Sequence, residues 1–599
     1  MDTVSHQSPH QGVELDPITF EVLRHAFVAV CNEMSLVVAK TAYSTPVNEG
    51  RDYSGCVYDA HGHLVTQGEE DLPAFTGLTM LTVPEVIRSI GRETMRPGDV
   101  YMINDPYVAS THCNDIHLVK PVFYEDDLIG FVTSTAHWSD VGGTAPGSLN
   151  CRARTHFEEG VRIPAVRIRT AGVQNDDLLK VLLANMRESW ERLGDFNAQM
   201  ASVHTGEARL LALREKYGTA TVAAAMAAAQ DYTERLLRAN IERLPDGEYT
   251  AEDTVDQDVW TGEPKRIRLT LTIAGDHITF DLTRSDGPAE SGINCTIAAT
   301  TSAIGIALAT VLPPMPMNSG VMRCIDIQVT RGSLLWAQPP VAISGLAATS
   351  MECVMGCITQ CLSQAMPERG VGSPYSIMNS VFAGFDDRPD FQAPFINYAW
   401  GFGGLGGTRH ADGPNVIGSP YTASTQNIPC ELQERRYPVL YWSYGVRTDG
   451  GGPGARRGGT GLAQELAFPY AAGTISCIGN RERFGPPGVF GGRPGRLAHL
   501  ILNHEQSDER NIGIFAVNEP ASTQDRLSYQ SAGGGGYGDP LERPVELVVE
   551  DLLDEYVSVE GAREDYGVVV RSLDLRTLQA DVDHEATAAL RAERAGVAA

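Results

Sequence analysis

Apolar residues in the stretch PITFEVLRHAFVAVCNEMSLVVAKTAY, which begins at Pro17, recur at three- and four-residue intervals. That spacing predicts an amphipathic helix, with Asp16 placed as its N-cap. The next segment, GCVYDAHGHLVTQG, alternates on both sides of an Asp-x-x-Gly turn and predicts a hairpin. DVYMIND and IHLVKPVFYEDDLIGFVTSTAH have the length and apolar content of strands. From Asp176 to about residue 244 the period is helical throughout, broken near Gly218. Within it, TVAAAMAAAQDYTERLLRANIERL joins high helix propensity to an amphipathic second half. The character then changes. EPKRIRLTLTIAGDHITFDLTRSDGP alternates as a hairpin closed through Ala-Gly-Asp, and glycine dominates beyond about residue 400 in WGFGGLGGTRHADG, RTDGGGPGARRGGTG and SAGGGGYGDP. LERPVELVVEDLLDEY and LRTLQADVDHEATAALRAERAG close the chain as charged helices.

These elements predict a multi-domain α/β chain of mixed α+β character. Its expected parts are a flexible tail over 1–14, an α/β domain with a helical insertion over 15–245, a β-rich domain with glycine-rich loops over 246–545, and charged helices over 546–599.

Composition narrows the partners. With 599 residues and 42% hydrophobic content, the chain is long enough for several cores. Its 75 acidic residues outweigh 47 basic ones, and the formal net charge of −28 argues against nucleic acid or an anionic membrane as partner. No window approaches a continuous apolar span, and the start MDTVSHQSPHQGVELD lacks the basic and apolar regions of a secretory signal, so a soluble cytoplasmic protein is expected. The 11 cysteines are scattered without a Cys-x-x-Cys pair. Cys353, Cys357 and Cys361 recur every four residues, which marks a stripe of small buried residues on one helix face rather than a metal or redox site. The glycine clusters do not follow a strand, open a helix and end in Gly-Lys-Ser/Thr. They are expected to be tight turns and close backbone approaches, and no ATP site is recognisable.

Candidate chemistry concentrates between residues 49 and 143. His112 and Asp115 are three apart, and His137 and Asp140 repeat the spacing, each copy at or just beyond a strand end. Two imidazoles and a carboxylate are common ligands for a divalent transition metal. Histidines also occur as satisfied core residues, and Asp105 or Asp140 can serve as turn caps. The surroundings favour a site: Asn104-Asp105-Pro106 ends one strand, Gly142-Gly143 permits close backbone approach, and NEGRDYSG brings Glu49 and Asp52 between the first helix and the hairpin.

The order NEGRDYSG, RPGDVYMINDPY, THCNDIHLVKPVF, AHWSDVGG, PGS, EEGVRIP, followed by RTDGGGPGARRGGTG and SAGGGGYGDP, resembles the hydantoinase B / oxoprolinase family over roughly residues 15–570. That family includes the B-type components of ATP-dependent hydantoin and lactam hydrolases, the C-terminal half of 5-oxoprolinase, and large subunits of acetone- and acetophenone-type carboxylases. The resemblance implies a partner: a hydantoinase A-type subunit of actin-like fold that handles ATP, in an (αβ)2 assembly. It also implies a two-histidine, one-aspartate metal site, which falls on His112, Asp115 and His137. Many relatives carry glycines before the first histidine, where this chain has Ala109-Ser110-Thr111, so the shape of that loop is expected to differ.

The implied activity is hydrolysis of a cyclic amide (hydantoin, oxoproline or lactam) after phosphorylation of its carbonyl oxygen. A divalent metal (Zn, Mn or Fe) acidifies water toward a pKa of about 7. Asp52 is the first candidate to orient or deprotonate that water, with Asp105, Asp140 and Glu49 behind it. The alternative within the family is ATP-dependent ketone carboxylation, in which the metal stabilises an enolate oxygen. Two other classes are a non-haem iron oxygenase, disfavoured because His-x-x-Asp replaces the usual His-x-Asp, and a scaffold protein with a vestigial site.

Overall fold

The computed structural model describes residues 15–597, so the expected tail over 1–14 lies outside the described residues. Asp16 caps the first helix, Pro17–Thr41, accepting from the backbone N–H of Ile18 at 3.1 Å and of Thr19 at 3.0 Å. Leu23, Phe27, Val30, Cys31, Met34 and Val38 form its buried stripe. Among the described residues it is the one helix long and apolar enough to cross a membrane, and here that stripe packs into a core.

The site rests on a seven-stranded sheet: β1 (Tyr53–Asp59), β2 (Leu64–Gln67), β3 (Val100–Ile103), β4 (Asp115–Tyr124), β5 (Asp127–His137), β6 (Val166–Thr170) and β7 (Val173–Gln174). The spatial order is β2-β1-β5-β4-β3-β6-β7, and β4 and β5 are an antiparallel pair with Asp115 opposite His137. Both faces are covered. Val57, Met102, Ile116, Leu118 and Val132 meet the helices Pro17–Thr41 and Ser189–Tyr217. The alternate residues Tyr58, Tyr101, Val119 and Phe131 meet Met80, Val83 and Val86 of the helix Phe75–Ile90. Burial on two sides explains why β4 and β5 read as nearly continuous apolar runs rather than strict alternations.

The helical stretch from Asp176 divides into Asp176–Ala184, Ser189–Tyr217 and Thr219–Ile241. It therefore breaks at 185–188 as well as at Gly218, where one break is expected from the sequence. The added break has a tertiary cause: Arg187 turns back to Asp140, donating its backbone N–H at 2.9 Å, and Glu188 takes a left-handed φ of 48°. The expected hairpin appears as Lys265–Ala274 paired with His277–Asp281, within a four-stranded sheet. The C-terminal expectation needs correction. Val570–Asp574 and Gln579–Val582 form a two-stranded hairpin between the charged helices, its turn held by Asp574 accepting from Arg576 N–H at 2.9 Å. The β-branched run Val568-Val569-Val570 leads into the first strand and outweighs the charged composition there.

Two further sheets complete the β-rich part: Ala393–Gly401, Met378–Asp386, Gly473–Ile478 and Glu519–Ala521 in one, and five strands from Leu440–Val446 to Arg526–Gln530 in the other. The largest apolar cluster extends from Leu72 and Phe75 to Tyr529 and Ala532, so the β-rich part packs directly on the segment leading out of the first sheet. The glycine clusters pack backbone on backbone. Gly534 N–H donates to Gly459 O at 2.9 Å, Gly459 N–H to Leu405 O at 2.7 Å, and Gly452 N–H to Gly534 O at 2.8 Å. A Cβ at Gly534 would collide with the Leu405 carbonyl, so close approach is what demands glycine there. Cys353, Cys357 and Cys361 are all fully buried along the helix Ser350–Ala365, as a stripe of small residues should be.

Candidate metal centre

Asp52 immediately precedes β1, Asp115 opens β4, and His137 ends β5. These strands are neighbours in the order β1-β5-β4, and the three residues lie at the same end of the sheet. Since side chains alternate, and Tyr53, Ile116 and Ala136 enter the core beneath the first helix, Asp52, Asp115 and His137 all project from the opposite face. His112 comes from the loop ahead of β4. That loop is braced by Asn104, whose Nδ2 donates to Cys113 O at 2.6 Å, and by Asn114, whose Nδ2 donates to Trp138 O at 2.8 Å. Trp138 is pinned in turn: its indole N–H donates to Gln199 Oε1 at 2.9 Å, and Gln199 Nε2 donates to Ile116 O at 2.8 Å. The helix Ser189–Tyr217 thereby locks the ends of both strands that carry the candidate ligands.

His112, Asp115 and His137 converge, with one potential ligand atom from each lying within 4.8 Å of the others. His137 Nδ1 is 3.4 Å from Asp115 Oδ1, and His112 Nδ1 is 3.7 Å from Asp115 Oδ2. The imidazole rings stand edge to face with centroids 4.9 Å apart. Thr111 donates its hydroxyl to Asp115 Oδ2, fixing the carboxylate. Asp52 Oδ2 is 3.9 Å from His137 Nδ1, and His137 N–H donates to Asp52 O at 3.1 Å. Three buried atoms here have no hydrogen-bond partner: His112 Nδ1, His137 Nε2 and Asp52 Oδ1. Unpaired buried nitrogens beside a fixed carboxylate are what a divalent cation would satisfy, so the donor set fits a metal.

The charges agree with that fit at Asp115 and His112, whereas at His137 the lowering by burial is outweighed by Asp115 and Asp52, which hold the imidazole above its ordinary value. Burial pushes Asp52 up to about 7, opposed by the His137 imidazole and reinforced by Asp115. Burial alone would raise Asp115 too, but His112, His137 and Thr111 together hold it well below the usual carboxylate range. Burial drops His112 to about 4, leaving it neutral as a ligand must be.

The other candidates lie elsewhere. Asp140 is fully buried but does not line the cavity. Its Oδ1 accepts from the N–H of Gly142 and of Arg187, and its Oδ2 accepts from Gly147 N–H and Arg187 Nη1, each at 2.9 Å. Asp105 caps Tyr107 N–H at 3.2 Å and pairs with Arg162 at 3.3 Å. Glu49 is half-buried at the end of the short helix Thr45–Asn48. Neither of these lines the cavity.

Sequence spacing gives no warning of the opposite wall. Asn379, Tyr398 and Trp400 come from the sheet of Met378–Asp386 and Ala393–Gly401, with Met351, Tyr421 and Thr422 beside them. Tyr398 stands edge-on to His137 at 5.2 Å. The one local signal is a polar or aromatic residue set into otherwise apolar strands. The enclosed space is about 30 Å³. A water needs about 10–15 Å³, so an ion and a water fit, whereas typical ligand pockets are about 300–1,000 Å³. Leu72, Ala74 and Phe75 face this cavity, while Asp71, Pro73 and Thr76 line a cleft of about 490 Å³, so a single thickness of chain separates the two.

The hydantoinase B/oxoprolinase profile matches residues 16–540, and the chain belongs to that family. Several relatives carry the names hydantoinase, caprolactamase or 5-oxoprolinase. The B-type component of a putative D-/L-hydantoinase from Pseudomonas sp. (strain NS671) is 30% identical, covering 96% of this chain and 98% of that protein. The β component of the caprolactamase of Pseudomonas jessenii is 31% identical over 93% of this chain and 96% of its own length. The crystal structure of that organism's ATP-dependent caprolactamase matches with a TM-score of 0.87 at 30% identity, over 97% of this chain and 100% of the matched chain. A nucleotide-free acetone carboxylase structure matches with a TM-score of 0.88 at 20% identity, over 97% of this chain and 83% of that one, which is a likeness of fold.

Proposed function

We propose that this chain is the metal-bearing subunit of an ATP-dependent cyclic-amide hydrolase. It acts in the cytoplasm on a hydantoin, oxoproline or lactam phosphorylated by a hydantoinase A-type, actin-like ATPase partner, in an (αβ)2 assembly. The observation that carries this is the convergence of His112, Asp115 and His137, with unpaired ring nitrogens, in a chain of the hydantoinase B family. Two relatives are named as single components of larger enzymes, which supports a partner, and the ATP-dependent caprolactamase supports nucleotide use. The chain's own sequence has no phosphate-binding loop.

His112, Asp115 and His137 would hold a Zn, Mn or Fe ion, which when bound supplies a Lewis acid and acidifies water toward a pKa of about 7. Thr111 keeps Asp115 in the orientation that ligation requires. Asp52, with a free buried Oδ1, takes a proton from water as it attacks the phosphorylated carbon and passes it to the ring nitrogen as the C–N bond breaks, leaving an acyl phosphate that a second water hydrolyses to carboxylate and phosphate. Phe75, Trp400 and Tyr421 keep bulk water out, which strengthens each of these interactions. Asp105 and Asp140 hold the loops that carry the ligands.

The test is co-expression with the ATPase partner, light scattering on the complex, and a coupled assay against hydantoins, oxoproline, lactams and ketones with and without bicarbonate. ATP hydrolysis matched to ring opening in an (αβ)2 complex is expected. Ketone consumption that requires bicarbonate would replace the hydrolase with a carboxylase. Two species that do not associate at micromolar concentration would overturn the assembly.

A further inference from the structure

We infer that Asn379 recognises the hydrogen on the ring nitrogen, making this enzyme selective for cyclic amides that carry N–H over N-alkylated ones. The inference rests on the hydrolase function proposed above. Asn379 lies near the start of the strand Met378–Asp386, opposite Trp400 in the register of one neighbouring strand and Ile478 in that of the other. It lines the metal cavity and also an adjoining cavity bounded by His112, Asn114 and Tyr398, so its side chain stands where the two spaces meet. Its Oδ1 is buried and has no hydrogen-bond partner. On the metal-cavity side the wall includes Met351, Ile377, Ala347 and Trp400, and on the adjoining side Ser148 and Ser344 stand among apolar residues. A lone carboxamide oxygen in such surroundings is costly unless a donor reaches it, and isolated polar groups in apolar pockets are how sites fix ligand orientation.

The metal ligands form the wall across the cavity, so the two walls divide the work. The reacting carbon belongs beside His112, Asp115, His137 and Asp52, and the ring atom next to that carbon belongs beside Asn379. In a cyclic amide that neighbour is nitrogen. Addition of water to the activated carbon leaves the nitrogen tetrahedral and bearing a hydrogen, which Asn379 Oδ1 accepts. An N-alkyl substrate presents carbon in place of that hydrogen and leaves Oδ1 buried and unpaired. A site built to pair with a donor discriminates strongly against an analogue that lacks it. Because the hydrogen is presented in the adduct, the effect falls mainly on kcat rather than KM.

The experiment uses the reconstituted complex with a small lactam and its N-methyl derivative, comparing wild type, Asn379→Ala and Asn379→Asp, with metal content measured in each. Wild type should prefer the N–H lactam. Asn379→Ala should keep its metal, lower kcat for the N–H lactam by about 10- to 100-fold, and leave the slow N-methyl rate unchanged, so that selectivity collapses. Asn379→Asp, which retains an acceptor oxygen, should recover part of the selectivity. Unaltered selectivity in Asn379→Ala, or an equal loss on both substrates, would overturn the role of Asn379 while leaving the hydrolase standing. Failure of wild type to open any cyclic amide would overturn both.

Discussion

Replacing Asp140 by asparagine separates two roles for a carboxylate that the sequence places beside the ligand candidates. The carboxylate is fully buried and receives three backbone N–H groups and the Arg187 guanidinium, all at 2.9 Å. Asparagine keeps one acceptor oxygen and turns an N–H toward a donor. Removing one partner of a buried ion pair costs about 3–5 kcal/mol. The Arg187 side chain is 38% exposed, so water relieves part of that loss, and about 2–4 kcal/mol is expected. That is a large share of a typical stability of about 5–15 kcal/mol. The loss should localise to residues 140–147 and the 185–188 break, both held by this carboxylate. The assay pairs thermal melting and limited proteolysis with kcat per metal-loaded molecule. Asp140→Asn should melt earlier and be cleaved near these loops, while kcat per loaded molecule stays within about threefold. Unchanged stability with kcat reduced by about 10²–10⁴ would refute the structural role and make Asp140 an acid–base residue.

Asp52→Asn should leave metal content near wild type and lower turnover by about 10²–10⁴, as measured by elemental analysis alongside product formation. Loss of metal with activity would make Asp52 a fourth ligand. Gly534→Ala drives a Cβ into the Leu405 carbonyl and should destabilise the glycine-rich layer by about 1–3 kcal/mol or more, read as a lower melting temperature or insoluble protein. Glu352, fully buried, is raised from 4.5 to about 8 by burial. Across that interval the unfolded chain releases a proton that the folded chain retains, so this group's stabilisation is complete at low pH and is lost as pH rises toward 8. Glu352→Gln should flatten the fall in melting temperature over that range, and an unaltered profile would count against it.

The convergence of the candidate ligands was legible because it is local in sequence and strand-borne: His112 and Asp115 share a loop end, and an antiparallel pairing of β4 with β5 brings His137 opposite Asp115. The period-two rule then puts Asp52 on the same face. The aspartate of the second His-x-x-Asp copy stands away from the cavity, held by hydrogen bonds of which spacing carries no record. Asp140 is satisfied by Arg187, whose turn also breaks a helix that contains no local breaker. The far wall was hidden for a related reason. Asn379, Tyr398 and Trp400 reach the cavity only through long-range packing of one sheet on another, and the adjacent polar pair Asn379-Ser380 in NSVFAGF has no distinguishing pattern. Likewise the glycine clusters were legible as close backbone approach, but which cluster meets which follows from tertiary pairing alone.

The most direct test of the metal centre is elemental analysis of purified His112→Ala, Asp115→Ala and His137→Ala, each reconstituted with the ATPase partner and assayed for ATP hydrolysis and product. A three-ligand site rarely keeps its ion on two, so each variant should lose most of its metal and all ring opening. ATP hydrolysis should persist in part, uncoupled, because that step is assigned to the proposed partner. Full metal occupancy with normal turnover in any one variant would remove that residue from the site. The same result in all three would contradict the assignment of metal-dependent chemistry to this protein.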